Sequence, residues 1–169
     1  MSFDIFFMPC RYGQTPIDAP DRAAGATRKV PSNESLTQEE LLAVRAVLSQ
    51  AGASNGGQCD FFVPMLEDGG YAEVFCRDIQ VGCMVALRGI TPHVLKFLFN
   101  LLQAGNWVMI PAMPDTRSIA TSPAAFKRIP DGFPPALVCA SPEEIGAIIS
   151  GGFDAWKKYR DQFVGKSPT

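Results

Sequence analysis

The chain has 169 residues and a mass of 18.3 kDa; 47% of its residues are hydrophobic, 19% are charged, and its formal net charge is −2. That size and composition exclude a disordered chain and a mini-protein that needs disulfide or metal staples, and point to a single globular domain, residues 1–169, able to bury its own core. The charge is uneven, +1 over residues 1–33, −6 over 34–78 and +3 over 79–169. So acidic a middle argues against nucleic acid, which is bound by displacing counterions with Lys and Arg, and suits a basic protein partner.

The first predicted strand is Phe3 to Met8, apolar on both faces, with Phe3, Ile5 and Phe7 on one side and Phe6 and Met8 joining Asp4 on the other; this is the pattern of an interior strand. Residues 9–35 read as one long loop rich in Pro, Gly and charge, a type of segment that tends to be functional. Thr37 and Glu40 form a T-x-x-E capping box for a first helix, with Leu36 placed to staple onto Leu41 and Gly52 as its stop. Leu41, Val44, Leu48 and Ala51 make its apolar stripe, with Val47 at the margin, to be buried as one face. A glycine-rich turn leads to a strand at Cys59 to Pro64, and the turn Glu67 to Gly70 joins it to a strand starting at Tyr71. After the break at Arg77-Asp78 a strand runs from Val81 to Arg88.

The second helix starts at Thr91 with Pro92 in its first position, stops before Gly105, and is apolar on nearly every side, so it should be packed on two sides. A strand at Trp107 to Ile110, a Pro-rich stretch and a short strand at Ala136 to Cys139 follow. Ser141, Pro142 and Glu144 cap a third helix that Gly151-Gly152 should end, before a last helix with Phe153, Trp156, Tyr159 and Phe163 turned inward. This order predicts an α+β domain, a mostly antiparallel sheet with helices packed on one face, related to the ferredoxin-like arrangement. Its core lies over about residues 1–111, with the Pro-rich connection and a C-terminal helical appendage over 112–169.

Five scattered cysteines (Cys10, Cys59, Cys76, Cys83 and Cys139), an odd number with no CxxC pair, indicate reduced thiols in a cytoplasmic protein. Cys76 and Cys83 are expected to be an inert buried pair across two strands. The N-terminal stretch lacks a basic region and carries Asp4 in its apolar run, so no signal peptide is expected, and no apolar run is long enough for a membrane span.

Motifs for chemistry are missing. The glycines fit neither GxGxxG nor a P-loop, no G-x-S-x-G elbow or HExxH helix occurs, and one histidine makes a triad or zinc site hard to assemble. His93 is read as a first-turn surface histidine rather than a catalytic base. No cofactor and no metal is expected. The acids Asp60, Glu67, Asp68, Glu73 and Asp78 concentrate in one hairpin. Turn carboxylates are usually solvated, but Asp60 and Glu73 interrupt strands, and pairing of those strands would place both on one solvent face with Tyr71 and Phe75 near Glu73. That mixture suits an interface, and makes Asp60, Glu67, Asp68, Tyr71, Glu73 and Asp78 the candidate partner-binding residues.

The start MSFDIFF, the middle hairpin and the run VALRGITPHVLKFLFNLLQAGNWVMIP together resemble, over about the first two thirds of the chain and in the layout of elements, the small immunity proteins encoded beside polymorphic and type VI secretion effector toxins in bacteria. The resemblance implies a cytosolic protein without catalysis of its own that binds a cognate toxin domain and blocks its active site. It transfers no site residues, because each immunity protein is matched to its own toxin. Two other readings stay open: a small enzyme with its site in the N-terminal loop, using residues such as Arg11, Tyr12 and Asp18, and a homo-oligomeric structural protein, marked by an exposed apolar patch on the second helix or around Trp156.

Overall fold

A computed structural model describes residues 2–9, 17–21, 26–30, 34–55, 61–63, 68–112, 116–126 and 136–164. In chain order its elements are β1 (Phe3–Met8), β2 (Ile17–Asp21), β3 (Ala26–Val30), α1 (Gln38–Gln50), β4 (Ser54–Asn55), β5 (Phe61–Val63), β6 (Ala72–Phe75), β7 (Cys83–Leu87), α2 (Pro92–Ala104), β8 (Val108–Pro111), β9 (Ser118–Ala120), a 3-10 turn (Pro123–Phe126), β10 (Ala136–Val138) and α3 (Pro142–Val164). Eight strands form one sheet in the order β10-β9-β8-β1-β7-β6-β5-β4, antiparallel throughout except for β9 with β10, and β2 pairs with β3 in a separate antiparallel ribbon.

Within this sheet, β1-α1-β6-β7-α2-β8 is the ferredoxin-like split βαβ arrangement, with the strands in the spatial order β8-β1-β7-β6. The α+β fold read from the sequence is therefore present, and β1 does lie inside the sheet, paired on both edges. Its burial is one-sided. Phe3, Ile5 and Phe7 are at most 1% exposed, whereas Phe6 is 45% exposed. Apolar residues on both faces of β1 indicated an interior strand, which is correct for its pairing but not for its second face.

The helices cover the Phe3–Ile5–Phe7 side, with α2 packed between α1 and α3. The three predicted N-terminal caps make their bonds: Thr37 Oγ1 accepts from Glu40 N at 3.3 Å while Glu40 Oε2 accepts from Thr37 N at 2.8 Å, Thr91 Oγ1 accepts from Val94 N at 3.3 Å, and Ser141 Oγ accepts from Glu144 N at 3.4 Å. At the end of α2 the left-handed residue is Asn106 (φ 44), not Gly105 (φ −86). Gly105 serves a different need, since a Cβ there would come 2.6 Å from Cδ2 of the fully buried Trp107.

Three features differ from the sequence reading. First, Gly151-Gly152 does not end a helix; α3 runs unbroken through both. A mid-helix glycine costs about 1 kcal/mol relative to Ala. Gly152 lies where the helix passes close to the sheet side of the core, since a Cβ there would lie 2.9 Å from Thr116 Cγ2 and 3.7 Å from the Phe3 ring. Second, α3 is no appendage. Its Ile145, Ile149, Phe153 and Trp156 belong to the main core, with Phe3 edge-on to Phe153 at 5.5 Å and to Trp156 at 6.4 Å. The core accordingly extends well past residue 111. Third, the predicted loop over 9–35 contains the β2–β3 ribbon, and the Pro-rich stretch contains β9. Pro20 signalled a break, yet it sits in β2 opposite Thr27, which a two-stranded ribbon tolerates because its outer edge needs no N–H donor.

Candidate functional site

The sheet face turned away from the helices is built by strand alternation and register together. Ile110, Phe6, Met84 and Phe75 stand directly opposite one another on β8, β1, β7 and β6, a row spanning about 14 Å at the usual strand spacing. Phe6 is exposed and the other three are partly so. Two residues along β1, the next row reads Asp4, Ala86, Glu73, with Phe62 of β5 in register beyond Glu73. At the other end of the face, Met8 and Ile110 pack against Val108, Ala120 and Ala125, so the 3-10 turn closes that side. The row at Phe6, Met84 and Phe75 stays open.

Tyr71, Glu73 and Arg88 border this row. The Tyr71 hydroxyl donates to Glu73 Oε1 at 3.1 Å and Arg88 Nη2 donates to Glu73 Oε2 at 3.2 Å. Partial burial, then the hydrogen bond to Glu73 and the Glu73 charge, push the Tyr71 phenol above its ordinary value, with Arg88 opposing. Glu73 is thus a paired carboxylate within an aromatic and cationic surround, a composition that interface centres favour.

Asp68 is placed elsewhere, at the N-terminus of α2. Gly70 brings it there: its N–H donates to Asp68 Oδ1 at 2.9 Å, and a Cβ at Gly70 would sit 2.6 Å from Thr91 Oγ1, so only glycine lets the turn dock this tightly onto the helix. His93 Nδ1 then lies 2.6 Å from Asp68 Oδ2, and His93 N donates to the same oxygen at 3.3 Å. Desolvation acts to raise the Asp68 pKa, but the bonds from the His93 ring, Gly70, Thr91 and the His93 backbone outweigh it and hold the carboxyl down at about 2. The sequence reading missed this pair, because its partners are 25 residues apart and nothing local links them.

The six candidate partner-binding residues therefore do not form one patch. Tyr71 and Glu73 lie together beside the open row, and Asp68 is turned onto α2. Asp78 caps the β6–β7 turn through Gln80 N at 2.9 Å, roughly 16 Å along the hairpin from Tyr71. Asp60 and Glu67 lie outside the described residues.

Of the alternative site in the N-terminal loop, Arg11 and Tyr12 also lie outside the described residues, and Asp18 is an exposed residue of β2. The patches that would mark a homo-oligomer are not where they were expected: Trp156 is 5% exposed, with the Arg160 guanidinium 5.1 Å from its ring centre, and the apolar face of α2 is inside the core. Cys76, Cys83 and Cys139 are buried, and desolvation followed by the nearby Cys76 pushes the Cys83 thiol well up. Among the described residues, no group of three or more His, Cys, Asp and Glu could hold a metal ion, and no helix is long and apolar enough to cross a membrane. No protein-family model, curated protein or solved structure matches the chain.

Proposed function

We propose that this chain is a bacterial immunity protein that binds a cognate toxin domain and occludes its active site, without catalysis of its own, and that it docks through the open face of its sheet. The observation that supports this reading is the cross-strand row Ile110–Phe6–Met84–Phe75 on the side opposite the helices, open at Phe6, Met84 and Phe75 and flanked by Tyr71, Glu73 and Arg88. Aromatic, Met and Arg side chains are the types enriched in interface centres, and a few such anchors supply most of the binding energy of a protein complex.

The pairing of Glu73 with Arg88 and of Asp68 with His93 shifts the expected balance of forces. Both acids are already engaged within the chain, so the net −6 of residues 34–78 acts as a steering field for a basic partner rather than as a set of unpaired contacts. Charge then sets the rate of encounter and the apolar row sets the lifetime of the complex.

The test is co-expression with the toxin domain encoded beside this chain's own gene. The wild-type chain should restore growth, and Phe6→Asp and Met84→Asp should each abolish rescue while remaining folded by circular dichroism. Arg45→Glu, on the exposed side of α1, should rescue fully. Rescue by both sheet-face variants would refute this docking surface, and failure of the wild-type chain to protect would refute the toxin-neutralising reading.

A further inference from the structure

On the opposite side of the molecule, α1 and α2 leave a groove of about 280 Å³ between them. Its floor is apolar, made by Val47 and Phe97, and its rim is polar, made by Gln50, His93, Lys96 and Asn100. Val47 is partly buried and Phe97 is 6% exposed, so the floor continues the main core outward; Lys96 and His93 are exposed above it. The groove lining includes two basic side chains and no carboxylate. The carboxylate nearest in the bonding network, Asp68, is committed to the Nδ1 side of His93 at 2.6 Å, with its other bonds to Gly70 and the His93 backbone. Asp68, as a carboxylate, accepts the Nδ1 proton of His93 and thereby fixes the imidazole at the groove's rim.

We infer that this groove is a binding site for a small organic carboxylate with an apolar body, the body lying on Val47 and Phe97 and the carboxylate held by Lys96, with the Gln50 and Asn100 amides as further donors. The volume is close to the lower end for small-ligand pockets, which sets the size class at a single ring or short chain. A flexible cation over an apolar floor recognises such a molecule by one charge and one hydrophobic contact. The site is independent of the sheet face proposed for the protein partner, being formed entirely by the helix layer.

Amide-resolved NMR titration of the full chain tests this, with phenylacetate as probe and benzyl alcohol and benzylamine as its neutral and cationic counterparts. Phenylacetate should give saturable shifts confined to the α1–α2 groove, with an affinity about fivefold above benzyl alcohol from the single added charge pair and a larger margin over benzylamine. Lys96→Met, at an exposed position, should keep the spectrum of the fold and erase the advantage of the anion. Shifts that do not saturate, that are equal for anion and cation, or that are indifferent to Lys96→Met would overturn the inference. So would concentration-dependent shifts at the groove with no probe added, which would assign it to a second copy of the chain.

Discussion

Truncating Phe153 to Ala tests whether α3 belongs to the main core. The ring is 4% exposed, meets Phe3 edge-on at 5.5 Å and stacks on Trp156 at 5.1 Å, so its removal leaves a cavity that both partners line. Phe-to-Ala substitutions in cores cost about 3–5 kcal/mol. With a urea dependence of about 2 kcal/mol/M for a chain of this length, the unfolding midpoint should fall by roughly 1.5–2.5 M. The chain has two tryptophans, and Trp107 sits beside Phe7 on the sheet, away from the substitution. In a Trp156→Phe background the fluorescence of Trp107 alone then reports whether the sheet feels the loss. A shift of that size seen at Trp107, coincident with circular dichroism, means one cooperative unit. If the Trp107 transition stays in place while helical signal is lost earlier, α3 is an independent appendage and the account of the core is wrong.

The other predictions concern individual groups. Asp68 should titrate at about 2 when followed by carboxyl-carbon NMR. Because its folded pKa is depressed, the stability it contributes is present above the unfolded value near 4 and is lost as pH falls from about 4 to about 2; Asp68→Asn should flatten that window, and a carboxyl titrating near 4 would contradict the His93 bond. Tyr71 should ionise above the ordinary tyrosine value in an ultraviolet titration. Glu73→Gln should bring it down without abolishing the shift, because burial is the larger cause. A raised phenol pKa means this contribution is complete below about 10 and is lost as pH rises through the folded value. Gly82→Ala should destabilise by on the order of 2 kcal/mol in thermal unfolding, because Gly82 has φ 133 and a Cβ there would collide with the Phe7 carbonyl oxygen; a neutral substitution would mean that β1 and the β7 turn are less closely packed.

What the sequence made legible follows the range of the interactions involved. The capping box at Thr37 and Glu40, the Thr91-Pro92 start of α2 and the Leu41–Val44–Leu48 stripe are local signals, and each stands where it was read. Tyr71 and Glu73 were correctly placed on one face, since strand alternation fixes that two residues away. The strand order was not legible, because pairing β1 between β7 and β8 depends on contacts across most of the chain. Gly151-Gly152 misled for the opposite reason: local propensity reads two glycines as a stop, and the burial of Phe153 and Trp156 against Phe3 overrides it. The open row was half visible. Phe75 was placed on the solvent face of its strand, whereas Phe6 was read as the second buried face of an interior strand; only register brings Met84 between them, and only the location of all three helices on the other side leaves Phe6 exposed.

Methyl NMR of the methionines in the presence of the catalytic domain of the proposed toxin partner tests the central proposal most directly. Met84 lies in the open row and Met8 at the end of the same face that the 3-10 turn closes, while Met109 is fully buried on the helix side and serves as internal reference. The account predicts saturation at one toxin per chain, with loss of toxin activity, large shifts at Met84, smaller ones at Met8 and a stationary Met109 signal. Inhibition at the same stoichiometry with Met84 unmoved would place the interface elsewhere, and no change in any methyl or in toxin activity would contradict the proposed function itself.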